Sequence, residues 1–283
     1  MEDTQDEIQV EACNKNILGI IHLGDCLSIM RRFPAGMFRV IVTSPPYNNN
    51  LFRPERRNLI TGYDNYNDNM PQAEYIAWQR DCLAEMLRLL RPDGAIFYNH
   101  RWRTKNGILD DRRNITDGLP IRQIIIWSKQ GSPICNNSFF SPNFEVIYII
   151  ANRDFRLAQG VSVYGCIWRF PCPPFAAIDH PAIFPLALPV RCIEAVGGGP
   201  VLDPFMGSGT SAVAAERFGV EWCGIEQSEK YVKLARSRVA AEQAQLKLSI
   251  FKKPLLKVRG RTRKRRRKKE PKINLELWPK ELQ

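Results

Sequence analysis

The chain has 283 residues, of which 44% are hydrophobic and 25% charged, a composition typical of a globular protein with one large core. No apolar stretch reaches the roughly 20 residues of a membrane span, and the acidic amino terminus lacks the apolar segment of a secretory signal. These features argue against a membrane or secreted protein. They predict a cytoplasmic protein, associated with the nucleoid if the source is bacterial.

The formal net charge of +12 is concentrated in one segment. Residues 251–269 contain 12 of the 41 Lys and Arg residues and no acidic residue, and the remaining 29 basic residues equal the 29 acidic ones. Such a run repels itself, so residues 251–283 are predicted to form a disordered basic tail. The tail would bind phosphates non-specifically, act as a localisation signal or simply be solvated.

The eight cysteines contain no Cys-x-x-Cys pair, and the three histidines do not cluster with them. This pattern predicts reduced cysteines and no metal site.

Apolar runs alternate with helical patterns along the chain, which is typical of a parallel α/β sheet. Strands are predicted over residues 17–23, 40–42, 95–98, 121–127, 144–150, 201–202 and 220–225. Helices are predicted over residues 71–91, 181–196, 210–218 and 228–246. Residues 48–70 and 101–119 are irregular, and loops of this length in a compact domain are often functional.

A Gly-rich loop, Asp-Pro-Phe-Met-Gly-Ser-Gly-Thr at residues 203–210, lies between a predicted strand and a predicted helix. Its two glycines allow a tight turn and a close approach to a ligand, and the helix amino terminus offers amide donors. Glu226 ends the next strand, where an acidic side chain can accept hydrogen bonds from both hydroxyls of a ribose. The loop therefore predicts a site for a nucleoside cofactor.

The same loop also satisfies the dinucleotide fingerprint, as Gly207-x-Gly209-x-x-Ala212. One helix and the basic tail follow Glu226, so no second mononucleotide half is present to hold a nicotinamide. A cofactor with one nucleoside is favoured. An NAD-dependent oxidoreductase remains the alternative enzyme, and a nucleic-acid-binding module without catalysis, based on the basic tail, is the third hypothesis.

A second motif, Thr-Ser-Pro-Pro-Tyr at residues 43–47, ends another strand. The prolines fix two φ angles and remove two amide donors, so the turn presents carbonyl acceptors and the Ser44 hydroxyl. An amino group on a heteroaromatic ring is a poor nucleophile because its lone pair is delocalised, and acceptors on its hydrogens localise that pair. Tyr47 can stack on a base that has left the duplex. The alternative is a structural turn with a buried tyrosine.

With both motifs in this order, the chain resembles the DNA methyltransferases that methylate exocyclic amino groups, in the permuted group whose Ser-Pro-Pro-Tyr element precedes the cofactor loop. Further matches lie within residues 18–239, at residues 21–26, 88–94, 126–129, 143–145 and 180–185. The resemblance implies S-adenosylmethionine as the cofactor and DNA as the substrate. It implies an α/β, Rossmann-like methyltransferase fold with a seven-stranded, mostly parallel and circularly permuted sheet. Residues 17–250 would form this catalytic domain, after a flexible acidic segment at residues 1–16.

By this resemblance, the target base is held and methylated by Ser44, Pro45, Pro46 and Tyr47. The cofactor would be surrounded by Asp25, Asp203, Phe205, Gly207, Ser208, Gly209, Thr210 and Glu226. Within the family the Ser-Pro-Pro-Tyr form leans towards N4 of cytosine over N6 of adenine, in a restriction-modification, phage or orphan enzyme.

The chain departs from the family in its target-recognition segment, for which only residues 151–179 are available. This is too short for an independent domain. Recognition would use residues 48–70, 101–119 and 151–179, or a second subunit, in a homodimer or with a separate specificity partner. Candidate phosphate contacts are Arg53, Arg56, Arg57, Arg101, Arg103 and Lys105.

Overall fold

A computed structural model describes residues 17–48, 69–105, 107–129, 140, 142–171 and 184–251. The strands of these residues are β1 (Ile20–Leu23), β2 (Phe38–Thr43), β3 (Leu90–His100), β4 (Arg103–Lys105), β5 (Ile108–Asp110), β6 (Ile121–Ser128), β7 (Phe144–Ile150), β8 (Ile167–Arg169), β9 (Val201–Asp203) and β10 (Trp222–Glu226). The helices are α1 (Cys26–Met30), α2 (Gln72–Leu89), α3 (Arg113–Thr116), α4 (Ala187–Val196), α5 (Thr210–Phe218) and α6 (Glu229–Phe251).

The central sheet has the strand order β1-β10-β9-β2-β3-β7-β6-β8, and β4 and β5 form a separate hairpin. Neighbouring strands are parallel except at β7, which is antiparallel to β3 and to β6. The predicted mostly parallel α/β sheet is therefore confirmed. All seven predicted strands are present, and the short β8, parallel to β6, adds an eighth at one edge.

Two strands from the carboxyl-terminal part of the chain lie between the first two strands of the sheet. β9 and β10 lie between β1 and β2, with Leu202 opposite Ile41 and Glu226 opposite Leu23. The carboxyl ends of seven strands, all except β7, consequently meet at one edge of the sheet. Because β7 runs the opposite way, its amino end lies at that edge too. Circular permutation itself stays a prediction.

The middle of the sheet is buried on both faces. Val40, Ile41 and Val42 of β2 are at most 1% exposed. Ile41 packs with Leu83 and Met86 of α2 in one hydrophobic cluster, while α4 also contacts β2. Consecutive strand residues point to opposite faces, so a strand buried on both sides needs a continuous apolar run.

Several predicted boundaries differ from the structure, among them the starts of β3 and α4. β3 begins at Leu90, directly after α2, so that residues 92–94 lie in the strand instead of ending the helix in a turn. A Cβ atom on Gly94 would lie 2.5 Å from the carbonyl oxygen of Arg39, and the register between β2 and β3 shifts nearby. Residues 184–186 precede α4 instead of belonging to it, whereas residues 181–183 lie outside the described residues.

The segment 101–119, predicted to be irregular, contains the β4–β5 hairpin and α3. Its strands have three residues each, which is too short for a periodic pattern to identify them.

No helix among the described residues is long and apolar enough to cross a membrane. In the same residues, no group of three or more His, Cys, Asp or Glu side chains could hold a metal ion. The chain divides into two units, residues 1–243 and 244–283. Residues 1–16 and 252–283 lie outside the described residues, so the predicted domain boundaries and the basic tail stay predictions.

Candidate active site

A hydrogen bond joins the two motifs, which lie 160 residues apart in the sequence. The Thr43 hydroxyl, at the end of β2, donates to Oδ1 of Asp203, at the end of β9, over 2.7 Å. The backbone N–H of Phe205 donates to the same oxygen at 3.1 Å, and the Ser211 hydroxyl bonds the other oxygen. Asp203 is 1% exposed. It therefore braces the Gly-rich loop against β2 through both carboxylate oxygens.

Burial has an electrostatic cost at Asp203. It raises the pKa of the carboxyl from 3.8 to about 6, although the hydrogen bonds from Ser211, Thr43 and the Phe205 backbone act in the opposite direction. Glu226 contributes a further, smaller increase.

Glu226, on the neighbouring β10, holds the other end of the loop. Its Oε2 accepts the N–H of Gly207 at 2.8 Å, and its Oε1 accepts the N–H of Ser228 at 2.9 Å. The half-buried Glu226 thus ties the loop to the segment that leads into α6.

The loop backbone turns through left-handed conformations at Gly207 (φ 51°) and Gly209 (φ 82°). At Gly209 a side chain would also collide with α6, because its Cβ atom would lie 2.7 Å from the Cβ atom of Ala235. Sequence reasoning attributed both glycines to the approach of a ligand. For Gly209 the structure supplies a second reason, the close packing of α6 on the loop.

Arg238 of α6, which sequence reasoning missed, binds the same loop. Its Nη1 donates to the carbonyl oxygen of Ser208 at 2.6 Å, to Ser208 Oγ at 2.8 Å and to Thr210 Oγ1 at 3.2 Å. Burial lowers the pKa of the guanidinium. Ser208 and Thr210 are each 4% exposed, so their side chains serve the internal structure of the loop.

Asp25 and Phe205, also predicted to contact the cofactor, have more exposed side chains than Ser208 and Thr210. Asp25 is exposed and caps α1, accepting the N–H of Ser28 at 2.8 Å. The preceding N–H, of Gly24, donates to the carbonyl oxygen of Glu226 at 2.9 Å, which places Asp25 next to β10. The half-buried Phe205 ring packs edge-on against Trp78, with 5.6 Å between ring centroids.

The catalytic turn, residues 44–47, is held by side chains from other strands. Ser44 Oγ and Tyr47 Oη are 2.7 Å apart, and Tyr47 donates to Oε2 of Glu145 over 3.1 Å. Asn99 Nδ2 lies 2.8 Å from both Tyr47 Oη and Glu145 Oε2. Lys129 forms an ion pair with the other oxygen of Glu145.

Two carbonyl oxygens of the turn have protein donors. Pro46 accepts the Tyr75 hydroxyl at 2.8 Å, and Tyr47 accepts Nη2 of Arg112 at 2.9 Å. Two of the carbonyl acceptors that the sequence predicts for a substrate are therefore already bonded within the protein.

The Tyr47 ring stacks on His100, with centroids 4.7 Å apart and planes inclined by 27°. Burial, together with the charges of Arg112 and Arg103, holds the pKa of His100 well below its usual value, so the imidazole is neutral. Since His100 covers one face of the Tyr47 ring, a base can stack only on the opposite face.

Two arginines fix the carboxyl end of the turn. Arg112 is fully buried, has a left-handed backbone (φ 62°) and lies 3.1 Å from Oδ2 of Asp110. Arg103 pairs with the same carboxylate at 3.3 Å and donates to the carbonyl oxygen of Asn48 at 2.8 Å. Arg103, predicted to contact phosphate, thus has protein partners.

Of the other predicted phosphate contacts, Arg101 is half-buried. Arg53, Arg56, Arg57 and the side chain of Lys105 lie outside the described residues.

The sequence of this chain is similar to those of known proteins. The sequence profile described as DNA methylase (N6_N4_Mtase) matches residues 38–237. The type II methyltransferase M.SmaI of Serratia marcescens is 27% identical over 284 residues, covering 82% of this chain and 94% of the relative. M.ScaI of Streptomyces caespitosus is 26% identical over 266 residues, covering 80% and 83%.

Solved structures agree with the fold. A putative DNA modification methylase from Thermus thermophilus, complexed with S-adenosyl-L-methionine, aligns with a TM-score of 0.59 at 23% identity, over 78% of this chain and 93% of that one. The PvuII DNA methyltransferase (cytosine-N4-specific) aligns with a TM-score of 0.60 at 18% identity, over 80% and 91%. The family profile spans both motifs and most of the sheet between them, and this chain belongs to the N6/N4 family of DNA methylases.

Proposed function

We propose that the chain transfers a methyl group from S-adenosylmethionine to the N4 amino group of a cytosine rotated out of DNA. The hydrogen bond between Thr43 and Asp203 is the observation that carries this proposal, because it brings the Ser-Pro-Pro-Tyr turn and the Gly-rich loop to one edge of the sheet. Ligands bind at this edge in open parallel sheets. The family match excludes neither base, and cytosine is proposed because the turn begins with serine.

The residues at this edge suit a cofactor with one nucleoside. Glu226 would accept the ribose hydroxyls, while the exposed Asp25 would meet the adenine and Phe205 would pack against it. Asp203, Gly207, Ser208, Gly209 and Thr210 would shape the loop that receives the rest of the molecule. When bound, S-adenosylmethionine supplies a methyl group on a positively charged sulfur, which accepts the electron pair of the broken bond, while the methylated nitrogen loses one proton to solvent.

The turn would prepare the amino group for attack. Ser44 Oγ and the carbonyl oxygen of Pro45 would each accept one amino hydrogen, which favours a pyramidal nitrogen and directs its lone pair outward. Pro46 and Tyr47 would keep the turn rigid, through their bonds to Tyr75 and Arg112. The face of the Tyr47 ring opposite His100 would stack on the base.

DNA recognition is proposed for residues 48–70, 101–119 and 151–179. The β4–β5 hairpin belongs to this set and exposes 73% of Ile108 and 58% of Leu109. Because Arg103 of β4 binds the backbone of Asn48, this hairpin is linked to the end of the catalytic turn. A homodimer or a separate specificity subunit would enlarge the surface. Two relatives are named as type II methyltransferases, which supports a restriction-modification role.

The experiment is incubation with labelled S-adenosylmethionine and varied DNA duplexes, followed by nucleoside analysis. The expected product is N4-methylcytosine. N6-methyladenine would correct the base and retain the site. Methylation at a ring carbon, or no transfer to any duplex, would overturn the proposal.

A further inference from the structure

The hydrogen bonds beneath the catalytic turn end on a buried carboxylate. Glu145 is 5% exposed, and its two oxygens face Tyr47 and Asn99 on one side and the partly exposed Lys129 on the other. Burying a carboxylate costs free energy unless charge and hydrogen bonds compensate it. Here Lys129 supplies the opposite charge, and Tyr47 and Asn99 supply the hydrogen bonds.

The sheet itself brings the pair to the turn. Glu145 lies near the start of the antiparallel β7, opposite Trp127 of β6. Lys129 follows β6 directly, and its ammonium also lies 4.7 Å from the centre of the Trp127 ring. An acidic side chain at the amino end of β7 thus reaches the same edge as Ser44 at the carboxyl end of β2.

The direction of these hydrogen bonds follows from the group at their end. An ionised carboxylate has no hydrogen to donate, so the single hydroxyl hydrogen of Tyr47 is directed to Glu145. Tyr47 Oη must then accept the hydrogen of Ser44 Oγ, 2.7 Å away. With its hydrogen directed to Tyr47, Ser44 Oγ can only accept from other donors, one of which is the Asn99 amide at 3.3 Å.

We propose that Glu145, held by Lys129, is the positioning residue that makes Ser44 a hydrogen-bond acceptor for the target amino group. This inference rests on the proposed function, because it assigns a further residue to the same site. Without the carboxylate, Tyr47 is free to donate to Ser44, and the Ser44 hydrogen turns towards an amino group that also offers hydrogens. Asn99 supports the arrangement, since its amide donates to both Glu145 and Tyr47.

The test is a double-mutant cycle on the full chain, measured as single-turnover methylation of a duplex at saturating S-adenosylmethionine. Glu145→Gln is expected to lower the rate about 100-fold, and Tyr47→Phe by a similar factor. Because both changes interrupt the same series of bonds, the combined variant should lose no more than about threefold beyond the slower single variant. Losses that multiply would overturn the proposal.

A positioning role leaves binding intact. Cofactor affinity by calorimetry, and base extrusion followed by the fluorescence of 2-aminopurine next to the target cytosine, should both stay within about twofold of wild type. If either falls as far as the rate does, Glu145 has only a structural role and the proposal fails.

The structure offers a matched control. Glu242 of α6 is another buried carboxylate, 8% exposed, and its two oxygens accept Nε and Nη2 of Arg217 at 2.8 and 3.0 Å. Glu242→Gln should leave the methylation rate unchanged.

Circular dichroism checks that Glu145→Gln folds. If it does not, the same cycle with Glu145→Asp, which withdraws the carboxylate from Tyr47, should give the same coupling at a smaller size. Wild-type rates in Glu145→Gln would contradict the inference alone. A wild-type protein that methylates no DNA amino group would contradict the proposed function instead.

Discussion

The Gly-rich loop and the catalytic turn lie at the same edge of the sheet but are held in different ways. The loop is fixed mainly by its own backbone and by neighbours from the end of the chain, such as Glu226 and Arg238. The turn depends on side chains from α2, β3, β7 and the segment around Arg112. A change in the loop should therefore act on cofactor binding, and a change around the turn should act on transfer.

The largest expected effect is that of Ser44→Ala, which removes the side-chain acceptor for the target amino group. The single-turnover methylation rate should fall about 100- to 1,000-fold, by analogy with the loss of one group that stabilises a transition state. Cofactor affinity, measured by calorimetry, should be unchanged. An equal loss in affinity would show that the two regions are not separable.

Gly209→Ala is the corresponding change in the loop. It adds a Cβ atom 2.7 Å from that of Ala235 and strains a left-handed residue, so α6 or the loop must shift. Cofactor affinity should fall about 10- to 100-fold, and stability by about 2 kcal/mol.

Gly219→Ala is its control, because Gly219 is also left-handed (φ 66°) but nothing lies within 4 Å of its added Cβ atom. It should cost only the backbone strain of about 1 kcal/mol and leave cofactor affinity unchanged. Equal effects of the two changes would refute the packing argument.

Asp203→Asn tests the residue that joins the two regions, through the pH dependence of the free energy of unfolding. The folded-state pKa of Asp203, about 6, exceeds the ordinary 3.8. The stabilising contribution of this group is therefore complete below the ordinary pKa and is lost as the pH rises through about 6. Relative to the uncharged variant, wild type should lose about 1.4 kcal/mol between about pH 5 and 7 in urea unfolding. If the difference in unfolding free energy between wild type and Asp203→Asn does not change with pH, the raised pKa of Asp203 is contradicted.

The smallest effect is expected at Asp25, where capping and cofactor contact can be separated. Asp25→Ser keeps an N-cap acceptor for α1, whereas Asp25→Ala removes it. Both should weaken cofactor binding about tenfold, equivalent to about 1.4 kcal/mol. Only Asp25→Ala should lower the free energy of unfolding, by about 1 kcal/mol. Unchanged affinity in Asp25→Ser would reduce Asp25 to a helix cap.

The difference between the two regions also determines which site residues could be predicted from the sequence. The loop and the turn are contiguous motifs at the ends of strands, and parallel strands bring their carboxyl ends to one edge. Their meeting was therefore predictable, and the bond between Thr43 and Asp203 agrees with it. β7 was predicted with its bounds, residues 144–150, because it is a continuous apolar run after Glu145.

Asn99, Glu145 and Arg112 were missed as site residues for a physical reason. Each is a buried polar residue that bonds Tyr47 from at least 52 residues away, and no periodicity marks such a pair. Glu145 carried one signal, an acidic side chain at the start of a buried strand. Using it required knowing that β7 is antiparallel, which depends on the topology of the whole sheet.

A crystal structure with S-adenosylhomocysteine would test most directly whether the two regions form one site. The account predicts ribose hydroxyls at hydrogen-bond distance, about 2.7 Å, from the Glu226 carboxylate, with the sulfur directed towards Ser44 and the loop unchanged. A ligand bound away from Glu226, or with its sulfur turned away from the turn at residues 44–47, would contradict it.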